Sequence, residues 1–111
     1  MIVMKFGGTS VGSREAVERT VGIVRGRLQE RPVVVVSAMS KVTDMLYAIS
    51  DALEAGDKDA ADLALADLRQ KHLETAAALL PSDPIWREEA YSRISDICGA
   101  LQNFAGEVIG G

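Results

Sequence analysis

Four consecutive valines, Val33 to Val36, follow Pro32 and limit what this chain can fold into more than any other feature. A strand points successive side chains to opposite faces, so an unbroken apolar run is apolar on both. Such strands belong in the middle of a parallel sheet covered by helices on both sides. Ile2 to Phe6 is also short, apolar and partly β-branched, and glycines follow it, so it reads as a second buried strand. Between the two, Ser13 can cap a helix over about Arg14 to Glu30. Val17, Val21, Val24 and Leu28 form its apolar stripe, and Pro32 ends it. Strand, helix and strand make one βαβ unit, whose crossover should be right-handed.

Beyond Thr43 the pattern is helical. A helix is expected over about Asp44 to Glu54, with Met45, Leu46, Ile49 and Leu53 on one side, broken at Gly56-Asp57. A long Ala- and Leu-rich helix follows over about Lys58 to Leu80. Pro81 to Pro84 is a turn in which Asp83 can cap a last helix and Pro84 suits its first position. That helix runs to about Val108, with Ala90, Ile94, Ile97, Leu101, Phe104 and Val108 alternating steps of four and three as a packing seam. The two long helices should form an antiparallel hairpin. The fold class is therefore α/β, a parallel βαβ unit followed by a long helical hairpin. Two strands are too few for a complete doubly wound domain. The expectation is a piece of a larger domain, or a sheet that another chain completes.

Composition excludes some function classes. The net charge is −4, from 12 Lys and Arg against 16 Asp and Glu. The basic residues are interleaved with acids and aromatics are few, so there is no basic field for nucleic acid. No stretch approaches the ~20 apolar residues of a membrane-spanning helix, and the N-terminus does not read as a signal peptide. Cys98 is the single cysteine, so no internal disulfide can form; a cytoplasmic protein is expected.

Two loops can carry chemistry. Lys5-Phe6-Gly7-Gly8-Thr9-Ser10 lies at the carboxyl end of the first strand and before a helix, where open α/β sheets bind ligands. Paired glycines let backbone amides approach an anion, and Lys5 supplies a mobile charge. The lysine precedes the glycines, so this is not the Walker pattern. Taken alone, Gly7-Gly8 is equally a tight turn beside a surface lysine. The second loop, Ser37 to Asp44, leaves the same edge of the sheet. Ser37, Ser40 and Thr43 would face the first loop and could hold a carboxylate or phosphate, or Thr43 or Asp44 could simply cap the next helix.

Lys5-Phe6-Gly7-Gly8-Thr9-Ser10-Val11, followed about thirty residues later by Ser37-Ala38-Met39-Ser40-Lys41-Val42-Thr43-Asp44, resembles the opening of aspartate kinases of the amino-acid kinase superfamily. The resemblance implies a three-layer α/β/α, carbamate kinase-like fold. Residues 1–111 would be its N-terminal part, with residues 1–44 bearing the loops and 45–111 the helical segment. It also implies ATP-dependent phosphorylation of the side-chain carboxylate of L-aspartate, with Mg accompanying the nucleotide. Lys5 would then stabilise the transferring phosphoryl group. Phe6, Gly7, Gly8, Thr9 and Ser10 would join it around the ATP phosphates. Ser37 and Thr43 would help hold aspartate. Lys41 falls where such kinases vary. The family's later acidic D-E-[LIV]-x-S-x-G-E segment, its arginine-bearing segment, the adenine pocket and the ACT domains are not in this sequence. The chain alone is therefore expected to be inactive.

Other residues offer less. His72 reads as a packed or surface residue, Cys98 as a small buried hydrophobe and Trp86 as packing. Asp57, Asp59 and Asp62 form a solvated acidic face near a helix start. No metal site is expected. Two further readings stand beside the leading one. The first is a superfamily member acting on acetylglutamate, glutamate or a nucleotide. The second is a non-catalytic chain that self-associates through its helices or an open sheet edge.

Overall fold

The computed structural model describes residues 1–110 and divides into two compact units, Met1–Thr43 and a second that begins at Asp44. In the first unit, β1 (Val3–Phe6) and β2 (Val33–Val36) form a two-stranded parallel sheet. The register pairs Val3 with Val33, Met4 with Val34, Lys5 with Val35 and Phe6 with Val36. Hydrogen bonds from Val33 N to the Ile2 carbonyl (2.8 Å) and from Ser37 N to the Phe6 carbonyl (3.1 Å) extend the ladder at both ends.

Helix α1 (Arg14–Arg25) starts as the sequence suggests, with the Ser13 hydroxyl accepting from Ala16 N at 3.2 Å. It ends five residues earlier than expected, short of Glu30. Glycine carries a penalty of about 1 kcal/mol in a helix interior, and Gly26 halts the helix. A short 3₁₀ turn over Leu28–Glu30 follows, and Arg31 takes a left-handed φ of 54° before Pro32. The prolyl ring disfavours a right-handed helical conformation at the residue before it, so Arg31 is where the chain changes direction.

The expectation of two buried strands is not met. Val33, Val34, Val35 and Val36 are between 41% and 57% exposed, and Val3 is 69% exposed. Alternation puts Met4, Phe6, Val34 and Val36 on one face of the sheet and Val3, Lys5, Val33 and Val35 on the other. Between the first face and α1 lies an open groove of about 480 Å³, lined by Val17, Val21, Val24, Val34 and Val36 among others. A covered strand needs apolar elements against both faces, and within this unit α1 approaches only one of them, incompletely. The βαβ arrangement is present; a third layer is not part of this unit.

The second unit is helical. Helix α2 (Val42–Ala55) begins two residues before its expected start. Ile49 and Ala52 are buried, but Leu46 is exposed rather than on the packed side. The helix closes through Gly56 at φ 67°, with Gly56 N donating to Leu53 O (3.2 Å) and Asp57 N to Ala52 O (2.9 Å). That paired Schellman pattern requires a left-handed residue, which glycine adopts without steric cost. Helix α3 (Lys58–Leu79) is capped by Asp57, whose carboxylate accepts from Ala60 N at 3.1 Å. Helix α4 (Pro84–Gly110) starts with Asp83 accepting from Trp86 N at 3.1 Å.

α3 and α4 form the expected hairpin. Ala61, Leu65, Leu68 and Ala76 of α3 and Ala105 of α4 are its buried apolar residues. Arg69 Nη2 donates to Ser95 Oγ across it at 3.2 Å. The seam of α4 differs from the expected one. Ile94, Cys98, Leu101, Ala105 and Ile109 turn inward, while Ile97, Phe104 and Val108 are exposed. A periodic apolar stripe tells that a face wants burial, not which neighbour covers it. Trp86, expected to pack, is 64% exposed. His72 Nδ1 donates to the Leu68 carbonyl within its own helix (2.7 Å). Among the described residues, no helix is long and apolar enough to cross a membrane.

Candidate phosphate-binding loops

Parallel pairing brings the ends of β1 and β2 side by side, so the segments that follow Phe6 and Val36 leave the same edge. Gly7 is extended (φ −77°, ψ 178°), and Gly8–Val11 forms a 3₁₀ turn, tied by Ser10 N donating to Gly7 O at 3.0 Å. Buried Val11 anchors the far end of this first loop. On the other side, Ser37 to Met39 runs without regular structure, and Lys41 takes φ 70°. Val42 N donates to Met39 O (3.1 Å), and buried Val42 anchors the second loop as it enters α2.

The loops touch. A Cβ on Gly8 would lie 3.4 Å from the Ala38 carbonyl oxygen and 3.9 Å from Ser37 Oγ. A Cβ on Gly12 would lie 3.0 Å from Ser40 Cβ and 3.1 Å from Gly8 O, closer than packed carbons normally come. Gly7 differs: a Cβ there would meet nothing within 4 Å. The backbone is therefore tight where the two loops meet at Gly12 and open at Gly7, the first residue beyond β1.

The structure brings together Gly8 with Ser37 and Ala38, and Gly12 with Ser40. Phe6, Gly8 and Ser10 are half-buried; Gly7, Thr9 and Ser37 are exposed. Lys5 is exposed and stands opposite Val35, on the sheet face turned away from the α1 groove. Thr43 lies in the first turn of α2 and is exposed. Because α2 starts at Val42, neither Thr43 nor Asp44 caps it. Asp44 instead places a negative charge in the first helical turn, where it is favourable.

Two contributors escaped the sequence reading. Thr20 on α1 is buried, and its hydroxyl donates to the Ser10 carbonyl at 2.7 Å, clasping the first loop to the helix. The available signal was a hydroxyl residue one helical turn from both Val17 and Val24. Gly12 carries no local signal of its role, since its close approach to Ser40 depends on residues far along the chain.

Chemically, the pair of loops presents glycine backbone and hydroxyl groups with a lysine two residues before Gly7. That donor set suits an oxyanion such as a phosphate. Among the described residues, no cluster of three or more His, Cys, Asp or Glu side chains could hold a metal ion. A divalent cation here would have to be held largely by the phosphates themselves.

The sequence profile of the Amino acid kinase family matches residues 1–109. The chain is similar to the chloroplastic bifunctional aspartokinase/homoserine dehydrogenase 2 of Zea mays, at 36% identity over 102 residues, 90% of this chain and 11% of that protein. It is 45% identical over 83 residues to the chloroplastic bifunctional aspartokinase/homoserine dehydrogenase 1 of Arabidopsis thaliana, 75% of this chain and 9% of that one. Lysine-sensitive aspartokinase 3 of Escherichia coli matches at 40% over 58 residues, 52% of this chain and 13% of the relative. The chain thus spans about a tenth of the length of these relatives.

Proposed function

The chain belongs to the amino acid kinase family, and on that premise we propose that it forms the phosphate-binding edge of an aspartate kinase. The reaction is transfer of the γ-phosphoryl group of ATP to the side-chain carboxylate of L-aspartate, giving 4-phospho-L-aspartate, the first step toward lysine, threonine and methionine. The carrying observation is the contact between two loops at one sheet edge, with Gly8 against Ser37 and Ala38 and open backbone at Gly7. The aspartokinase names of the relatives favour this acceptor over acetylglutamate or glutamate.

Phosphoryl transfer needs positioning and charge stabilisation more than covalent help from the protein. In this reading Gly7, Gly8, Thr9 and Ser10, with Phe6 behind them, hold the ATP phosphates. Lys5 compensates charge on the group in flight. Ser37 and Thr43 orient the aspartate. Mg enters on the nucleotide, held by phosphate oxygens. The parent enzyme acts in the cytoplasm. In the same reading, residues 1–111 taken by themselves, without the family's acidic aspartate-site segment, are expected not to turn over.

Two measurements test this. Titration of Mg-ATP into isotopically labelled chain should move the amide resonances of Gly7, Gly8 and Ser10 before others. Lys5→Ala should weaken that response. Unmoved loop amides at millimolar nucleotide would overturn the phosphate assignment. A coupled ADP-release assay with aspartate and Mg-ATP should read background, and turnover at ordinary kinase rates would refute the inactivity of the isolated chain.

A further inference from the structure

Thr20 is the one buried polar side chain among the described residues, at 7% exposure. It sits on α1 between Val17 and Val24, in the stripe that turns toward the sheet. An apolar side chain would fill that place without a desolvation cost, whereas a hydroxyl there needs a partner. A helical threonine has one close at hand, the carbonyl four residues back. Thr75 of α3 uses it, donating to the Lys71 carbonyl at 2.8 Å. Thr20 instead donates out of its own helix, to the Ser10 carbonyl at 2.7 Å, ten residues earlier in the chain.

That bond engages the second of the two backbone groups of Ser10. Its N–H donates to the Gly7 carbonyl at 3.0 Å, and its carbonyl is taken by Thr20. A peptide unit is planar, so a bond at one end orients the whole unit. The unit joining Thr9 to Ser10 is oriented by the turn itself, and the unit joining Ser10 to Val11 by α1. Gly7 and Gly8, just before them, add no such restraint, because glycine visits several backbone conformations at similar cost. We propose that Thr20 is a positioning residue for nucleotide phosphate. Acting through Ser10, it keeps the turn over residues 7–10 in the conformation that presents its backbone to the anion, and it does not touch the ligand. This rests on the reading of the first loop as the phosphate site.

Titration of Mg-ATP into the whole labelled chain tests it, followed at the amides of Gly7, Gly8 and Ser10. Thr20→Val keeps the shape of the side chain and removes the donor; it should weaken binding on the order of fivefold, the worth of one hydrogen bond. Thr20→Ser keeps the donor and should stay within about twofold of the wild type. Without ligand, amide exchange at Ser10 should quicken in Thr20→Val and not in Thr20→Ser. Ser13→Ala separates positioning from general damage, since it weakens the start of α1 without touching Ser10, and should leave affinity unchanged. Circular dichroism verifies folding, and if Thr20→Val does not fold, Thr20→Ala carries the same expectation. Loop amides unmoved in the wild type would sink the phosphate reading, and this proposal with it. A wild-type response matched in full by Thr20→Val, or an equal loss in Ser13→Ala, would overturn the role of Thr20 alone.

Discussion

The hairpin of α3 and α4 buries Ala61, Leu65, Leu68, Ala76 and Ala105 within itself, whereas the sheet unit leaves all four valines of β2 between 41% and 57% exposed. Both regions are comparably apolar in sequence. They differ in what their topology supplies. Two long antiparallel helices are each other's cover, because a helix needs only one stripe buried. A parallel strand with two apolar faces needs partners above, below and alongside. One helix and one neighbouring strand meet only part of that demand. Local pattern is thus satisfied locally in one region and only by further structure in the other.

Core truncation should separate the two regions most sharply. Leu68→Ala, at a position 6% exposed, should destabilise the hairpin by about 2–4 kcal/mol, while Val35→Ala should cost well under half as much. Urea unfolding followed by circular dichroism reads both, and equal losses would break the contrast. Within the sheet unit, Gly12→Ala should push the loops apart and cost about 1–3 kcal/mol through overpacking against Ser40 and Gly8. Gly7→Ala, in open space at an ordinary extended φ, should leave stability nearly unchanged. Loss of nucleotide response in Gly7→Ala alone would then report ligand contact rather than folding. Ser13→Ala removes the cap of α1 and should cost about 1 kcal/mol, visible as faster amide exchange in its first turn.

The smallest effect concerns pH. The hydrogen bond from the Arg27 guanidinium holds the Glu30 carboxyl below its ordinary range and raises Arg27 in turn. A depressed carboxylate adds stability that is present above the unfolded-state value and fades as pH falls through the folded one. The pair is fully exposed, so Glu30→Gln should barely alter midpoint stability at neutral pH. It should only flatten the acid limb of the urea midpoint below the ordinary glutamate range.

Strand positions, the Ser13 cap, the Asp83-Pro84 start and the adjacency of the two loops were all legible from residues a few positions apart. Each depends on local geometry: alternation, a hydroxyl before a helix, a proline at a first turn. What escaped depends on distant partners. The end of α1 at Gly26 was masked because Leu28 continues the apolar spacing through a 3₁₀ turn. The covered seam of α4 differs from the expected one because Ile94 and Leu101 belong to two overlapping stripes, and only packing against α3 decides which is covered. Gly12 and Thr20 act across the fold, on Ser40 and Ser10, and neither carries a motif of its own.

If the first loop binds phosphate as proposed, the Thr20 clasp on the Ser10 carbonyl bears on recognition kinetics. A glycine-rich segment ordinarily forfeits much conformational freedom when it closes around an anion, and that loss subtracts from affinity. Here one end of the segment is already fastened to a helix before any ligand arrives. Severing the clasp, as in Thr20→Val, would shift that ordering cost onto the moment of encounter. On the proposed phosphate-binding reading, capture would slow while the final contacts stayed the same.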